Sequence, residues 1–309
     1  MTLRTSPTSR RDDVSLGVAT IVGTVLALSL GDALIKALSG RGAMGLWQLF
    51  AVRSALAFPV LLAGALLLFP APMLAPRSAR WIALRSVLLT AMWIAYYLAL
   101  PLLPLAVAAA AYYTLPLWIV AFAALFGGER VGRAQWVGVG LGFVGILLVL
   151  RPGGEAFGWA ALLPVLSAVL YALAMILTRT KCRREHRATL ALALNATFVA
   201  TGLAGLTVGP LLPTGAEGFL SPLWVPMDAR AWGIVAILAL LILIASVGTA
   251  VAYQAAPAST VGTFDFAYVG FALVWGVLFF AERPDGWAVV GIALIVVAGI
   301  LAVRQPGEP

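Results

Sequence analysis

The chain has 309 residues, of which 62% are hydrophobic and only 10% are charged, and its formal net charge is +8. Soluble domains are about half apolar and about a quarter charged, so this composition excludes a soluble globular protein and a disordered one. With one cysteine and one histidine, the chain forms neither an intrachain disulfide nor a cysteine–histidine metal site.

The apolar residues fall into segments long enough to cross a bilayer. A transmembrane helix needs roughly 20 apolar residues to cross about 30 Å of hydrocarbon. Runs between charges and proline or glycine breaks predict ten spans: 16–38, 45–69, 81–101, 104–125, 136–150, 158–177, 189–212, 232–256, 258–280 and 287–303. The sequence therefore predicts an all-α polytopic membrane protein with ten transmembrane helices.

The longest loop, 213–230, is itself partly apolar. Its apolar residues include Phe219, Leu220, Leu223, Trp224 and Val225. We interpret this loop as a segment that lies at the membrane interface.

The basic residues are distributed unequally between the two sides of the predicted bundle. One side has thirteen: Arg4, Arg10, Arg11, Arg77, Arg80, Arg130, Arg133, Arg179, Lys181, Arg183, Arg184, Arg187 and Arg304. The other side has four: Arg41, Arg151, Arg230 and Arg283. Because basic loops stay in the cytoplasm, we expect both termini there and the protein in the cytoplasmic (inner) membrane. The same asymmetry explains the positive charge without a nucleic-acid partner.

The second half of the chain repeats the first. A shift of 153 positions pairs Pro104 with Pro257, Leu125 with Leu278, Phe126 with Phe279, Glu129 with Glu282, Arg130 with Arg283, Gly138 with Gly291, Leu141 with Leu294 and Val144 with Val297. Each half has five spans, so the two halves enter the bilayer in opposite orientations. This predicts one five-helix repeat at 1–152 and a second, inverted one at 153–309, a recurring plan of secondary transporters.

A set of diffuse motifs lies along the first half. They are Arg53, Tyr97-Leu98-Ala99-Leu100, Pro116-Leu117, Leu125-Phe126-Gly127-Gly128-Glu129-Arg130 and, after the glycine-rich fifth span, Arg151-Pro152-Gly153. They resemble the drug/metabolite transporter superfamily, and more narrowly its EamA-type members. The resemblance implies a ten-helix basket around a central cavity that moves small metabolites, often outward. Exporters of amino acids, including aromatic ones, are among the members that the chain resembles.

Prolines inside the spans are candidate hinges. They are Pro59, Pro116 and Pro164. The second repeat has Val269 where the first has Pro116, so we expect spans 4 and 9 to bend differently.

Ionisable residues inside spans cost roughly 2.5–3.5 kcal/mol each on insertion scales, so each needs an explanation. Asp32 and Lys36 are four residues apart on one helix and can pair, either at the rim or along a cavity. Arg53 is expected to hold backbone carbonyls or a neighbouring carboxylate. Arg85 lies near the cytoplasmic start of span 3, and we expect its guanidinium to extend towards the interface.

Asp265 is the strongest candidate for a functional carboxylate. It lies about a third of the way along span 9, in a polar run that begins at Ser259, and its partner in the repeat is Tyr112. A carboxylate here can hold a substrate ammonium or take up a proton, or it can serve as the counter-ion of Arg53 or Lys36. Asp32, Lys36, Arg53 and Asp265 are therefore candidates for coupling or ion pairs.

Aromatic residues form the second group of candidates. Interfacial belts explain tryptophans at the starts of spans, but not tyrosines deeper in the bilayer, whose hydroxyls need partners. The predicted substrate-binding residues are Trp93, Tyr96, Tyr97, Tyr112, Tyr113, Tyr253, Asp265, Phe266 and Tyr268. An aromatic-walled cavity suits amphipathic or cationic organic substrates.

Other chemistry finds little support in the sequence. The G-x-G-x-x-G run at 140–145 lies inside an apolar span, where close helix packing explains it better than a dinucleotide site. No Walker-type loop occurs, and we expect no cofactor. Without a nucleophile and base, a metal site or paired carboxylates, the chain is not predicted to be an enzyme.

The leading hypothesis is a secondary transporter that moves small organic metabolites by alternating access and exports amino acids, aromatic ones included. Its partners are a small-molecule substrate and the lipid bilayer, as a monomer or a homodimer. Export of other metabolites or organic cations and a non-transporting membrane receptor are the alternatives. Transport coupled to proton exchange and facilitated diffusion without coupling both stay open.

Overall fold

The computed structural model describes residues 13–39, 44–99, 111–126, 128, 131–150, 162–211, 219, 221–280 and 286–303. Every regular element among these residues is helical. The helices are α1 Val14–Ser39, α2 Leu46–Leu68, α3 Ala71–Leu74, α4 Ala79–Ala99, α5 Leu115–Leu125, α6 Arg133–Leu150, α7 Leu162–Thr180, α8 Arg187–Val208, α9 Ala229–Ala255, α10 Ala258–Phe264, α11 Ala267–Phe280 and α12 Gly286–Val303. A 3₁₀ turn, Gly209–Leu211, extends α8.

The helices lie where hydropathy predicts them. Helical residues occur inside each of the ten predicted spans, and spans 4 and 9 each contain two helical pieces. Among the described helices, six are long and apolar enough to cross a membrane: α1, α2, α4, α7, α8 and α9. The prediction of an all-α polytopic membrane protein is therefore confirmed, whereas the count of ten spans stays a prediction.

Aspartates outside the spans fix the start of two long helices. Asp13 Oδ1 accepts a hydrogen bond from the Leu16 amide at 3.0 Å, and Asp228 Oδ1 accepts one from the Ala231 amide at 2.7 Å. Both are the N-cap interactions that satisfy a free backbone N–H in the first helical turn. The Asp13 amide also donates to the Ala255 carbonyl at 2.8 Å, which joins the start of α1 to the end of α9.

The most extensive helix packing joins the first predicted repeat to the second. α1 packs on α9, α2 on α8, α4 on α7, and α6 on α12, and α5 packs on α10. In terms of spans, these pairs are 1 with 8, 2 with 7, 3 with 6, 5 with 10, and 4 with 9. If each span of the first half is replaced by the corresponding span of the second half, and the reverse, the same five pairs are obtained.

Glycines allow two of these pairs to approach closely. A Cβ atom on Gly202 of α8 would overlap the backbone of Ala51 on α2, and one on Gly248 of α9 would overlap the Thr24 hydroxyl on α1. Small residues at such contacts let membrane helices pack by van der Waals attraction. The two contacts fix α1 and α2 against the second half of the chain.

Spans 4 and 9 are interrupted at matched positions. In span 4, a turn at Tyr113 and Thr114 separates helical Ala111 and Tyr112 from α5. In span 9, a turn at Asp265 and Phe266 separates α10 from α11. The second interruption forms without a proline, and the expectation that the two spans bend differently stays a prediction.

The loop before α9 is attached to the bundle. Gln48 accepts a hydrogen bond from the Val225 amide at 2.9 Å and donates one to the Val225 carbonyl at 2.8 Å. The Phe219 ring lies 5.7 Å from that of Tyr97, whereas Leu223 and Trp224 are exposed. Of the apolar residues named for this loop, Leu223 and Trp224 are thus the exposed ones, and Leu220 lies outside the described residues.

The turn between α7 and α8 is tied to two neighbouring helices. The Glu185 carboxylate accepts hydrogen bonds from the amides of Arg77 at 3.0 Å and Ser78 at 2.8 Å, just before α4. The Gln254 side chain, near the end of α9, donates to the carbonyls of Cys182 and Glu185 at 2.8 and 2.9 Å. This network fixes the end of the bundle beneath the cavity described below.

Candidate functional site

The larger of two adjoining cavities in the described structure lies between α1, α4, α7, α8, α9 and the interrupted spans 4 and 9. It encloses about 780 Å³ of space that protein atoms do not fill, including its open mouth. Its polar and aromatic lining residues are Asp32, Arg85, Trp93, Tyr96, Tyr112, Tyr113, Tyr171, Ser246, Thr249, Asp265 and Tyr268. Transporters commonly bind substrates and ions where membrane helices are interrupted.

Tyrosine rings form a continuous wall on one side of this cavity. The centroids of Tyr96 and Tyr112 are 5.1 Å apart, those of Tyr112 and Tyr113 are 5.6 Å apart, and those of Tyr113 and Tyr268 are 5.1 Å apart. The wall runs from α4 across the turn in span 4 to α11, so both predicted repeats contribute to it. Rings at these separations, with interplanar angles of 53°, 74° and 42°, form favourable tilted and edge-on aromatic pairs along the cavity.

Asp265 lies in the turn of span 9 and is buried. The Tyr253 hydroxyl donates a hydrogen bond to its Oδ2 atom at 2.7 Å, and the Tyr171 hydroxyl is its second hydrogen-bonding neighbour. Burial penalises the charged form of a carboxylate, whereas hydroxyl donors favour it. The two opposed effects suit a group that gains and loses a proton or a cationic partner.

Asp32 lies on α1, where the first cavity meets a smaller second one. The Tyr268 hydroxyl donates to its Oδ2 atom at 2.6 Å, so the contact joins α1 to α11. The predicted pair with Lys36 lies outside the described residues, because the Lys36 side chain is not described.

Arg53 lines the second cavity together with Asp32, but no ion pair joins these two described side chains. The guanidinium carbon lies 5.8 Å from the centroid of the Phe50 ring and 5.2 Å from that of Phe198. These cation–π contacts surround the charge, whereas the expected partners were backbone carbonyls or a neighbouring carboxylate. The Nε and Nη2 atoms of Arg53 have no hydrogen-bond partner.

Arg85 contradicts its prediction. Its side chain is 0% exposed and lines the larger cavity, whereas we expected it to extend to the interface. Its Nε atom donates to the Thr178 hydroxyl oxygen on α7 at 2.6 Å, and this partner on another span holds the guanidinium inside the bundle. Its Nη1 and Nη2 atoms have no hydrogen-bond partner.

Most of the predicted substrate-binding residues line the larger cavity. Those that do are Trp93, Tyr96, Tyr112, Tyr113, Asp265 and Tyr268. Tyr253 is behind this lining and donates a hydrogen bond to Asp265. Tyr97 packs on the Trp93 ring at 5.3 Å, and Phe266 packs against Gly142 of α6, so both belong to the packed interior.

Two of the predicted hinge prolines, Pro59 and Pro164, are not among the residues that line the cavity, and the side chain of Pro116 is not described. Pro59 is exposed within α2, and Pro164 is buried in the first turn of α7. Pro116 lies in the first turn of α5, directly after the interruption of span 4. The interruption in span 9 lacks such a proline, so the turns themselves are better hinge candidates than the prolines.

The sequence did not lead us to predict four of the polar residues as cavity lining. Tyr171 was available to the argument used for the other tyrosines, since its hydroxyl also lies deep in a span. Ser246 and Thr249 carried no signal, because hydroxyl side chains commonly bond to their own helix in membrane spans. Arg85 was identified but placed at the wrong depth.

The site has the groups for binding and for proton transfer. Among the described residues, no three His, Cys, Asp or Glu side chains are grouped to hold a metal ion. The cavity combines aromatic faces, hydroxyl donors, two carboxylates and one guanidinium. A helical membrane bundle with interrupted spans around such a cavity is the architecture of a small-molecule transporter.

Comparison with known proteins agrees with this class. The sequence profile of the EamA-like transporter family matches residues 15–151. The chain is 35% identical over 228 residues to a riboflavin transporter of Rhizobium johnstonii, a match that covers 73% of this chain and 70% of that protein. The chain belongs to the EamA-like transporter family, within the drug/metabolite transporter superfamily.

Two further similarities extend the comparison. The chain is 29% identical over 212 residues to the pseudopaline exporter CntI of Pseudomonas aeruginosa, covering 68% of this chain and 70% of that protein. One solved crystal structure aligns with 96% of this chain and 100% of its own, with a TM-score of 0.75 and 20% identity. The crystal structure supports the fold alone, whereas the two named relatives support transport of a metabolite.

Proposed function

We propose that this protein transports small aromatic metabolites that bear polar or charged groups, and that it does so by alternating access. The observation that supports this best is the wall of tyrosines around a cavity with two buried carboxylates. Flat rings stack on the wall, while Asp32, Asp265 and the hydroxyls bind polar substituents. Both predicted repeats contribute to the wall, so a relative movement of the repeats changes the site.

The inverted repeat gives alternating access a structural basis. Spans 4 and 9 are interrupted within one residue of the positions that the 153-residue shift equates, Tyr112 and Asp265. The five helix pairs named above, which join the two halves, are also unchanged when the spans of the halves are exchanged. These observations support repeats at 1–152 and 153–309 that rock about the cavity.

Two cargoes are consistent with an aromatic cavity. Riboflavin is the first candidate, because a relative named as its transporter is 35% identical, and its flat ring system matches the tyrosine wall. Aromatic amino acids, the choice from sequence resemblance, also combine a ring with groups that the carboxylates can bind. We propose export as the direction, in keeping with the resemblance and with the named exporter among the relatives.

Counterflow in proteoliposomes tests this proposal. We expect vesicles that contain the protein and are loaded with unlabelled substrate to accumulate labelled riboflavin or labelled tryptophan transiently, and empty vesicles to accumulate neither. A panel of nucleosides, sugars and organic cations as competitors separates the alternative substrate classes. Flux without saturation or counterflow would indicate a channel, and stabilisation by a ligand without flux would indicate a receptor.

The orientation is part of the proposal and has its own test. Burial raises the pKa of the Cys182 thiol to about 11, and the side chain is 0% exposed, so the wild-type chain should not react with a membrane-impermeant maleimide at neutral pH. Ala75→Cys and Leu223→Cys place thiols at exposed positions at opposite ends of the bundle. In intact cells we expect labelling of the Leu223→Cys protein alone, and labelling of the Ala75→Cys protein only after permeabilisation. The reverse pattern would overturn the cytoplasmic assignment of the termini.

A further inference from the structure

We propose that Arg85 binds an anionic group of the substrate, so that the preferred cargo is an aromatic metabolite that carries a carboxylate or a phosphate. This inference rests on the proposed function and deepens it by naming the charge of the substrate, which favours the aromatic amino acids over riboflavin among the two candidate cargoes. Arg85 is on α4, near Thr178 of α7, at the end of the cavity that the loop charges place on the cytoplasmic side. It is a binding residue that the sequence analysis assigned to the interface.

The guanidinium is held in one orientation by α7. Arg85 Nε donates to Thr178 Oγ1 at 2.6 Å, and this hydroxyl in turn donates to the Ala174 carbonyl at 2.8 Å. Because the hydroxyl hydrogen is used in the helix, the oxygen is available as an acceptor for Nε. The other edge of the planar group, with Nη1 and Nη2, is left without a partner, although the side chain is 0% exposed.

A buried charge without an acceptor is costly, and its cost falls when an anion arrives. The parallel N–H groups of a guanidinium fit the two oxygens of a carboxylate or phosphate, and such bonds are stronger than those between neutral groups. The Arg85 side chain lines the same cavity as the tyrosine wall. An aromatic molecule with an acidic substituent can therefore contact both features in one cavity.

Three acids of the described structure are bonded to other groups. Asp265 accepts a hydrogen bond from Tyr253, Asp32 accepts one from Tyr268, and Glu185 accepts from the amides that precede α4. No ion pair joins Arg85 to any of these described carboxylates. Among the residues that the structure describes, the free edge of the Arg85 guanidinium is thus without a carboxylate partner.

The same chemistry has two sources: an acid on the substrate or a separate inorganic anion. The experiment compares ligands that differ only in the acid, namely flavin mononucleotide with riboflavin and tryptophan with tryptamine, alongside inorganic phosphate and chloride alone. Dissociation constants are measured by thermal stabilisation of the purified full chain, and counterflow of the same pairs is measured in proteoliposomes. Arg85→Gln removes the charge, Arg85→Lys keeps the charge without the fork, and Arg80→Gln removes an exposed charge from the same helix as a matched control.

We expect wild type to bind the member of at least one pair that carries the acid about tenfold more tightly than the member that lacks it. This preference should disappear in Arg85→Gln, fall in Arg85→Lys and persist in Arg80→Gln. Should Arg85→Gln fail to fold, Arg85→Lys and Thr178→Val, which removes the Nε acceptor, provide the same comparison.

Three outcomes would overturn the inference. The first is that wild type binds the two members of each pair with equal affinity. The second is that the preference for the member with the acid persists in Arg85→Gln. In the third, phosphate or chloride alone stabilises the wild type but not Arg85→Gln, and the ligands that lack the acid are transported only when that anion is present. This result would assign the site to an inorganic ion.

Failure of this inference and failure of the proposed function give different results. If the protein transports the ligands but the affinity ratio within each pair is the same in Arg85→Gln as in wild type, the anion site is refuted and the transport function stands. If binding depends on Arg85 but no flux is measured, the anion site stands and transport of these compounds is refuted.

Discussion

Replacement of Asp265 by asparagine is expected to abolish the response of transport to an imposed pH gradient, while exchange of substrate between the two sides continues. The asparagine keeps the size of the side chain and accepts a hydrogen bond from the Tyr253 hydroxyl, which lies 2.7 Å from the carboxylate. It cannot carry a proton across the cycle. We expect the wild-type protein to accumulate substrate severalfold when the gradient drives it, and the variant to reach only equilibrium.

The groups that face Asp265 make this assignment specific. They are Tyr253 from α9, Tyr171 from α7, and Tyr112 and Tyr113 from span 4. Their hydroxyls donate or accept hydrogen bonds but do not titrate near neutral pH. Arg85 lines the same cavity, and arginine stays charged. Among these groups, Asp265 is therefore the one whose protonation can follow the gradient.

Asp228→Asn is a matched control for Asp265→Asn. Asp228 caps α9 outside the spans, and asparagine is an equally good N-cap residue, so transport and stability should match the wild type. A gradient response in Asp265→Asn equal to that of the wild type would remove Asp265 from coupling and point to Asp32. Loss of both exchange and accumulation, in a protein that still inserts and purifies, would make Asp265 a substrate-binding residue instead.

Hydropathy was sufficient to predict where the helices lie, because each span must bury or expose about 20 apolar residues in lipid. The same reasoning identified Asp265 and Tyr112, since polar groups at membrane depth need partners. These predictions depend on one residue and its depth in the bilayer, which the sequence contains.

The partners of the charged residues could not be predicted in the same way. The depth of Arg85 is set by Thr178, a residue 93 positions away, and the surroundings of Arg53 by Phe198 on α8. Neither contact has a spacing signal, because it depends on how α4 and α2 pack against the second half of the chain. Arg85 in particular was predicted at the interface since the rule for residues near helix ends assumes that no internal acceptor is available.

The interruption of span 9 illustrates the same limit. The polar run that ends at Asp265 was visible in the sequence, but Val269 in place of a proline led only to the expectation that spans 4 and 9 bend differently. In the structure, the turn at Asp265 and Phe266 is accompanied by packing of Phe266 on Gly142, where a Cβ atom would lie 2.8 Å from the ring. The glycine leaves room for the ring beside the turn, and that fit is a tertiary contact rather than a local preference.

Replacement of Tyr112 by alanine is expected to raise the half-saturation concentration of an aromatic substrate by about tenfold to a hundredfold, with a smaller effect on the maximal rate. Tyr112 lies at the interruption of span 4, between Tyr96 and Tyr113, and lines the cavity. Its removal takes away a buried aromatic surface worth about 1.5–3 kcal/mol and the stacking geometry of the wall. Initial rates of counterflow over a range of substrate concentrations measure both constants.

Two conservative variants separate the ring from its hydroxyl and from its position. Tyr112→Phe keeps the ring and should stay within about threefold of the wild type, because stacking depends on the ring face. Tyr97→Phe, on α4, removes a hydroxyl that has no partner and lies outside the cavity lining, so it should leave both constants unchanged. An unchanged half-saturation concentration in Tyr112→Ala would mean that substrate does not stack on the wall, and the two carboxylates and Arg85 would then be left as the groups that select the cargo.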